Sequence, residues 1–203
     1  MSILVKIRGG KFMDQNSLPH KEKLLIQLKE AYGKVVYTYT AHNKEIEIIR
    51  CKNRLIKYTQ IVLSAVSTGG IIGSIFSENE LKYKVLASIM STSLLAINLF
   101  FKDFDLKEEI DSHQIAADEL WVIREQYISL LTDFSILSDK EIMEKRDELQ
   151  LKTSEVYKSS PHTTKKGYNL AQNALKQEEE QFFSNEELDK ILPKHLRNNK
   201  DIH

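Results

Sequence analysis

The chain is poor in the residues that break or staple a fold. Its 203 residues include three prolines, seven glycines, one cysteine and one tryptophan, and 29 basic side chains stand against 29 acidic ones. Each shortage excludes something. A formal net charge of zero gives no field of one sign, so direct nucleic-acid binding is not expected. Cys51 has no second cysteine to pair with inside the chain and reads as an ordinary small helix residue. No proline falls between Pro19 and the first apolar run, so nothing there forces a helix to end.

Catalytic patterns are missing too. There is no phosphate-cradling glycine loop, no nucleophile elbow and no zinc-spaced cysteine set, and Gly69 and Gly70 sit inside an apolar run with no strand before them. Asp103, Asp105, Glu108 and Glu109 cluster, but Lys102 and Lys107 are interleaved, so they read as a solvated group and not a cation site. No catalytic residue, metal site or cofactor is expected, and the chain reads as a non-enzyme. The apolar stretch 3–7 is too short for a secretory signal, so the first apolar run is expected to direct its own insertion.

What is present is a pair of uncharged runs, 58–77 and 85–101, separated by Glu78, Asn79, Glu80, Leu81, Lys82, Tyr83 and Lys84. At about 1.5 Å per residue the first covers the ~30 Å hydrocarbon core, and the second is at the short limit. Serines, threonines and Asn98 interrupt both runs, so a buried hairpin of a soluble bundle is the competing reading. The flank favours the membrane, because Lys44, Arg50, Lys52, Arg54 and Lys57 outnumber Glu45 and Glu47. The positive-inside bias then puts both termini in the cytoplasm and the turn outside, as a multi-pass protein of a bacterial inner membrane.

Residues 1–16 lack a helical period and read as a loose arm or one short strand. Ser17 and Pro19 give a helix start. From there Leu28, Tyr32, Val35, Tyr39, His42, Ile46 and Ile49 recur in steps of four and three, a coiled-coil seam within one helix over about 18–76. After the second run the period resumes at Leu106, Ile110, His113, Ala117 and Leu120, and drifts through Ile123, Tyr127, Leu130 and Phe134. The fold class is therefore all-α: a two-transmembrane helical hairpin (58–77 and 84–101) extended by an antiparallel cytoplasmic stalk (17–57 and 102–136). Counting from the turn, His42 and His113 fall within about one helical turn of each other on facing seams. Two imidazoles suggest a metal site or a pH switch, but no third ligand stands at that depth, so a polar pair that fixes register is the simpler reading.

Ser138 with Glu141 forms a capping box that starts a helix over 138–160, before Pro161. The stretch 161–203 reads as a C-terminal extension. Thr163 or Thr164 caps a further helix through Gln181, with Glu178, Glu179 and Glu180 as a solvated face. Ser184 with Glu187 caps a last short one, stopped by Pro193.

Within the spans, Gln60, Ser64, Ser67 and Ser74 share one face of the first helix, and Ala65, Gly69 and Gly73 the opposite one. The small residues can admit a neighbouring backbone. Ser88, Ser91 and Asn98 form a stripe on the second helix, with Lys84 and Lys102 at its ends. The hydroxyls either glue the hairpin together or line a pore made by several hairpins, and the residues alone leave both readings open.

Residues 36–42 (VYTYTAH), 60–70 (QIVLSAVSTGG), 98–106 (NLFFKDFDL) and 116–134 (AADELWVIREQYISLLTDF) resemble bacterial SLATT domains, two-helix membrane effectors associated with SMODS nucleotidyltransferases and SLOG sensors. Residues 145–149 (KRDEL), 159–163 (SSPHT), 183–188 (FSNEEL) and 192–196 (LPKHL) are similar to the fifth subfamily, which tends to neighbour reverse transcriptases. The resemblance implies a homo-oligomeric effector that forms a pore in, or perturbs, the lipid bilayer in anti-phage or other conflict systems. An upstream sensor, a reverse transcriptase or a nucleotide-second-messenger system, would trigger death or arrest of the cell. It carries over no catalytic residue. His42, His113, Trp121 and Arg124 fall in its motifs, and Arg124 reads as an ion-pairing position of the stalk, with Glu119, Glu125 or an acid of another chain. A non-conducting scaffold that binds a partner through the stalk is the alternative.

Overall fold

A computed structural model describes residues 4–6, 12–14, 19–76, 80–102, 106–181 and 183–193, without the side chains of 4–6, 12–14, Ser74, Phe76, Glu80 and Lys102. The N-terminal segment holds two strands in place of the single one allowed above: β1 (Leu4–Lys6) pairs antiparallel with β2 (Phe12–Asp14), Val5 opposite Met13. Three residues per strand are too few for alternation to register in a sequence pattern. Every other regular element among the described residues is helical.

Helix α1 (His20–Phe76) is a single helix of 57 residues, about 86 Å at 1.5 Å per residue. Pro19 precedes it, and its carbonyl accepts from Glu22 N and Lys23 N. Ser17, the expected cap, lies outside the described residues. Helix α2 (Glu80–Lys102) returns along the last part of α1, and α3 (Leu106–Thr132) continues along the rest. After a 3-10 turn at Asp133–Ser135, helix α4 (Asp139–Ser159) packs on α3 and α1, and α5 (Lys165–Lys176) packs on α1. The short α6 (Asn185–Ile191) follows.

The stalk core forms because three stripes meet. Leu24, Leu28 and Val35 of α1 face Leu120, Ile123, Tyr127 and Leu130 of α3, and Ile142, Leu149 and Val156, at intervals of seven along α4, close the third side. Fully burying a side chain such as Leu28, Leu120 or Ile142 stabilises by about 1.5–3 kcal/mol each. Polar ties fix the far end of the stalk: His20 Nδ1 to Asp139 Oδ2 at 3.0 Å, Lys21 Nζ to the Leu137 carbonyl at 2.9 Å, and Arg146 Nη1 to Gln27 Oε1 at 3.1 Å.

Capping holds where a hydroxyl and a glutamate stand three apart. Ser138 with Glu141 and Ser184 with Glu187 both form reciprocal boxes, and Thr164 Oγ1 accepts from Gly167 N. One boundary needs correction. Helix α5 stops at Lys176 and not at Gln181, because Glu179 and Gln181 adopt positive φ (50° and 76°). Glu178, Glu179 and Glu180 are exposed, as expected of a solvated face, and two of them have partners: Lys44 Nζ binds Glu180 Oε1 at 2.9 Å, and Asn173 Nδ2 donates to Glu178 Oε1 at 2.7 Å.

Candidate functional site

Some of the hairpin's polar groups meet across its seam. Gln60 Nε2 of α1 donates to Asn98 Oδ1 of α2 at 2.9 Å, the Ser67 and Ser91 hydroxyls share a hydrogen bond, and Ser67 Oγ also reaches the Ala87 carbonyl at 3.4 Å. Beside them the backbones approach closely: a Cβ on Gly70 would lie 3.1 Å from Ala87 Cβ, and one on Gly73 3.3 Å from Tyr83 Cδ1. Of the residues singled out in the spans, Gln60, Ser67, Ser91, Asn98 and Gly73 thus lie on the seam between α1 and α2. Gly70 and Ala87 belong there too, and sequence reasoning missed both. Ser64 and Ser88 are exposed, and the side chain of Ser74 lies outside the described residues.

Ala65 and Gly69 lie elsewhere. A Cβ on Gly69 would meet nothing within 4 Å. Together with Lys57, Gln60, Ile61, Ser64, Thr68, Ile72, Leu94 and Asn98 they line a groove of about 880 Å³ along the flank of the hairpin. Much of the remaining surface is apolar: Ile61, Val62, Ile75, Val85, Ile89, Leu95 and Phe100 are all at least half exposed. The two most apolar 18-residue windows, of mean hydropathy 1.3 and 1.6, are only 11% and 6% buried within the chain. A helix of a soluble core would bury that surface, whereas lipid covers it in a spanning hairpin.

The stalk holds a second polar cluster, at the level where α1 is wrapped by α3, α4 and α5. His42 Nδ1 and His113 Nδ1 lie 2.8 Å apart, both residues being buried. One nitrogen carries the hydrogen and the other accepts, so the bond requires at least one neutral ring. Burial, and then the neighbouring His113, lower the pKa of His42 to about 4 against the opposing pull of Glu45. Burial also lowers that of His113, opposed by Glu45 and Glu109. No group of three or more metal-ligating side chains occurs among the described residues.

Glu45 itself is buried, and the sequence reading passed it over as flank charge. Its carboxylate accepts from Thr164 N at the start of α5, where the partial positive charge of the helix terminus favours an anion. The approach requires Gly167, since a Cβ there would lie 2.6 Å from Glu45 Cδ. The only sequence signal was a glycine in the first turn of a capped helix. Nearby, Gln181 Nε2 donates to the buried Thr40 hydroxyl at 3.1 Å, and Tyr37 stacks on Tyr168 with centroids 6.0 Å apart. Burial disfavours the Lys44 ammonium, but Glu180, Glu47 and Glu178 outweigh it and raise its pKa. Arg124 pairs with Glu125 at 2.9 Å, and its Nε is buried without a hydrogen-bond partner among the described residues.

The family model described as SMODS and SLOG-associating 2TM effector domain family 4 matches residues 24–187, which takes in the stalk, both spans, α4, α5 and the start of α6. No curated protein and no solved structure matches the chain. The match is to family 4 and lends no support to the fifth, reverse-transcriptase-associated subfamily. With two helices long and apolar enough to cross a bilayer, and a family-model match over most of its length, the chain belongs to the SMODS and SLOG-associating two-transmembrane effector family.

Proposed function

We propose that this chain is a non-enzymatic effector of the bacterial inner membrane whose hairpins assemble into a pore, or perturb the bilayer, in anti-phage or other conflict defence. The observation that carries the reading is the groove beside Ala65 and Gly69, where a backbone can approach and hydroxyl and amide groups stand along the same flank. Two helices enclose no channel, so conduction requires several copies. Packing of a second hairpin at Gly69 brings Ser64 and Thr68 to the contact, while the exposed Ser88 stays free to face water. Both termini and the stalk lie in the cytoplasm, set by the basic flank before residue 58. The trigger comes from an upstream sensor, a nucleotide-second-messenger system or a reverse transcriptase, acting on the stalk.

Dye release from vesicles holding the purified chain tests this. Ser88→Leu should abolish release while insertion and crosslinked oligomers persist, and Gly69→Leu should abolish both oligomers and release. Release at the parental rate from an inserted Gly69→Leu chain would sink the reading. A non-conducting scaffold is favoured by one observation: Ile115, Trp121 and Val122 of α3 are exposed on the stalk, where a protein partner could cover them. That alternative leaves dye inside the vesicles under every condition.

A further inference from the structure

Where α1 passes the ends of α2 and α3, at the stalk end of the hairpin, there is a pocket of about 250 Å³. Lys57 and Lys107 stand on it from two different helices, Asn53 and Gln60 add amides, and Ile56, Phe101 and Leu106 supply apolar walls. No acidic side chain lines it among the described residues. Its depth is fixed by the sequence, because Lys57 is the last charge before the first uncharged run and Phe101 closes the second. That is the level of the lipid phosphates.

We propose that this pocket binds the headgroup of an anionic phospholipid, as a site built into the chain and distinct from the general basic flank. Two lysines that line one pocket from different helices suit one phosphodiester charge better than either alone. Gln60 donates to Asn98 and retains a carbonyl oxygen that can accept from a headgroup hydroxyl. Ile56, Phe101 and Leu106 give the glycerol and the first methylenes of the chains an apolar surface, which a free phosphate would not use. The inference needs the two spans and not the pore. Because Lys57 and Gln60 also begin the groove beside Ala65 and Gly69, a bound lipid would stand at the edge of the hairpin-to-hairpin contact.

The test is native mass spectrometry of the purified full chain with equal amounts of phosphatidylglycerol and phosphatidylcholine. Near-surface basic residues favour anionic lipid by about fivefold each, so retained phosphatidylglycerol should exceed phosphatidylcholine by about fivefold or more. Lys57→Gln with Lys107→Gln should cut the excess by about fivefold or more, while Lys82→Gln with Lys84→Gln, at the other end of the hairpin, should leave it unchanged. An excess that the first pair leaves undiminished overturns the proposal. So does inorganic phosphate that stabilises the chain to heat as well as phosphatidylglycerol does. Should the first pair fail to fold, Asn53→Trp fills the pocket with both lysines kept, and an undiminished excess there overturns the proposal equally.

Discussion

The two halves of α1 are built inside out relative to each other. In the stalk, the helix buries Leu28, Val35 and Ile46 and turns its charges outward; in the hairpin it buries Ser67 and Gly70 and turns Ile61, Val62 and Ile75 outward. One continuous helix does both because the solvent changes along it. In water the apolar stripe drives association, whereas in lipid an apolar surface gains nothing by meeting another, and close backbones with shared hydrogen bonds hold the pair. The exception in the stalk is instructive. His42, His113 and Glu45 are buried, and each has a named partner, as burial in a water-facing core demands.

The contrast is broken most forcefully by one truncation in each half. Leu120 is fully buried in the stalk, so Leu120→Ala should cost about 2–5 kcal/mol through lost burial and a cavity. Leu95 is 58% exposed on the hairpin, and Leu95→Ala should cost below about 1 kcal/mol, since only contact with lipid changes. Denaturation of the detergent-solubilised chain, followed by helicity, measures both. Equal costs would mean that the hairpin is packed like a soluble core.

Glycines sharpen the comparison at the next level. Gly167→Ala drives a methyl into the Glu45 carboxylate and should destabilise the docking of α5 by about 1–3 kcal/mol, against the smaller helix-propensity gain of alanine. Gly69→Ala meets nothing and should be neutral or slightly stabilising in the isolated chain. Limited proteolysis between α4 and α5 reports the first, and pairing Gly167→Ala with Glu45→Ala should restore protection. A Gly167→Ala chain as protected as the parent would show that Glu45 is not held at the start of α5.

Acid should act on the stalk alone. A histidine whose pKa falls from 6.5 to about 4 on folding binds its proton more readily unfolded, so its stabilising share is complete above pH 6.5 and is lost as pH falls toward 4. His113, shifted the same way, adds to the slope. His42 contributes up to about 1.4 kcal/mol per pH unit inside that window. Thermal unfolding between pH 7.5 and 5 should steepen accordingly, and His42→Asn should flatten the dependence. An unchanged profile in that variant would assign the acid sensitivity to other groups.

The sequence made the periodic parts legible. Of the seam positions, Leu28, Val35, His42, Ile46 and Ile49, and their counterparts Leu106, His113, Ala117, Leu120, Ile123, Tyr127 and Leu130, prove buried, and Tyr32, Tyr39, Ile110 and Phe134 are half-buried, because a heptad pattern is a local statement about one helix face. Counting residues from the turn was enough to bring His42 and His113 together, since two straight antiparallel helices share one rise per residue. What depended on a third element was hidden. Nothing near Glu45 announces that α5 will bring Thr164 and Gly167 onto it from 119 and 122 residues away. Nor does spacing alone tell which of two small-residue faces, Gly70 or Gly69, meets α2, because the two are one residue apart and the choice rests on the crossing of the pair.

The smallest expected effect lies in the hairpin seam, and it separates glue from pore lining. Ser67 and Ser91 share a hydrogen bond, so Ser67→Ala with Ser91→Ala removes both partners at once and leaves no buried hydroxyl unpaired. Interhelical hydrogen bonds in membranes average about 0.6 kcal/mol, so the hairpin should loosen by about that amount and no more. Association of the two spans, read by energy transfer between probes at Cys51 and a cysteine placed at Lys107, should therefore be nearly unchanged. Dye release should also survive, since a hydroxyl pair satisfied across the seam does not face the water path. Release that vanishes while the energy transfer holds would place Ser67 and Ser91 on the path, and the assembled hairpins would then have to open along the seam that the isolated hairpin keeps closed.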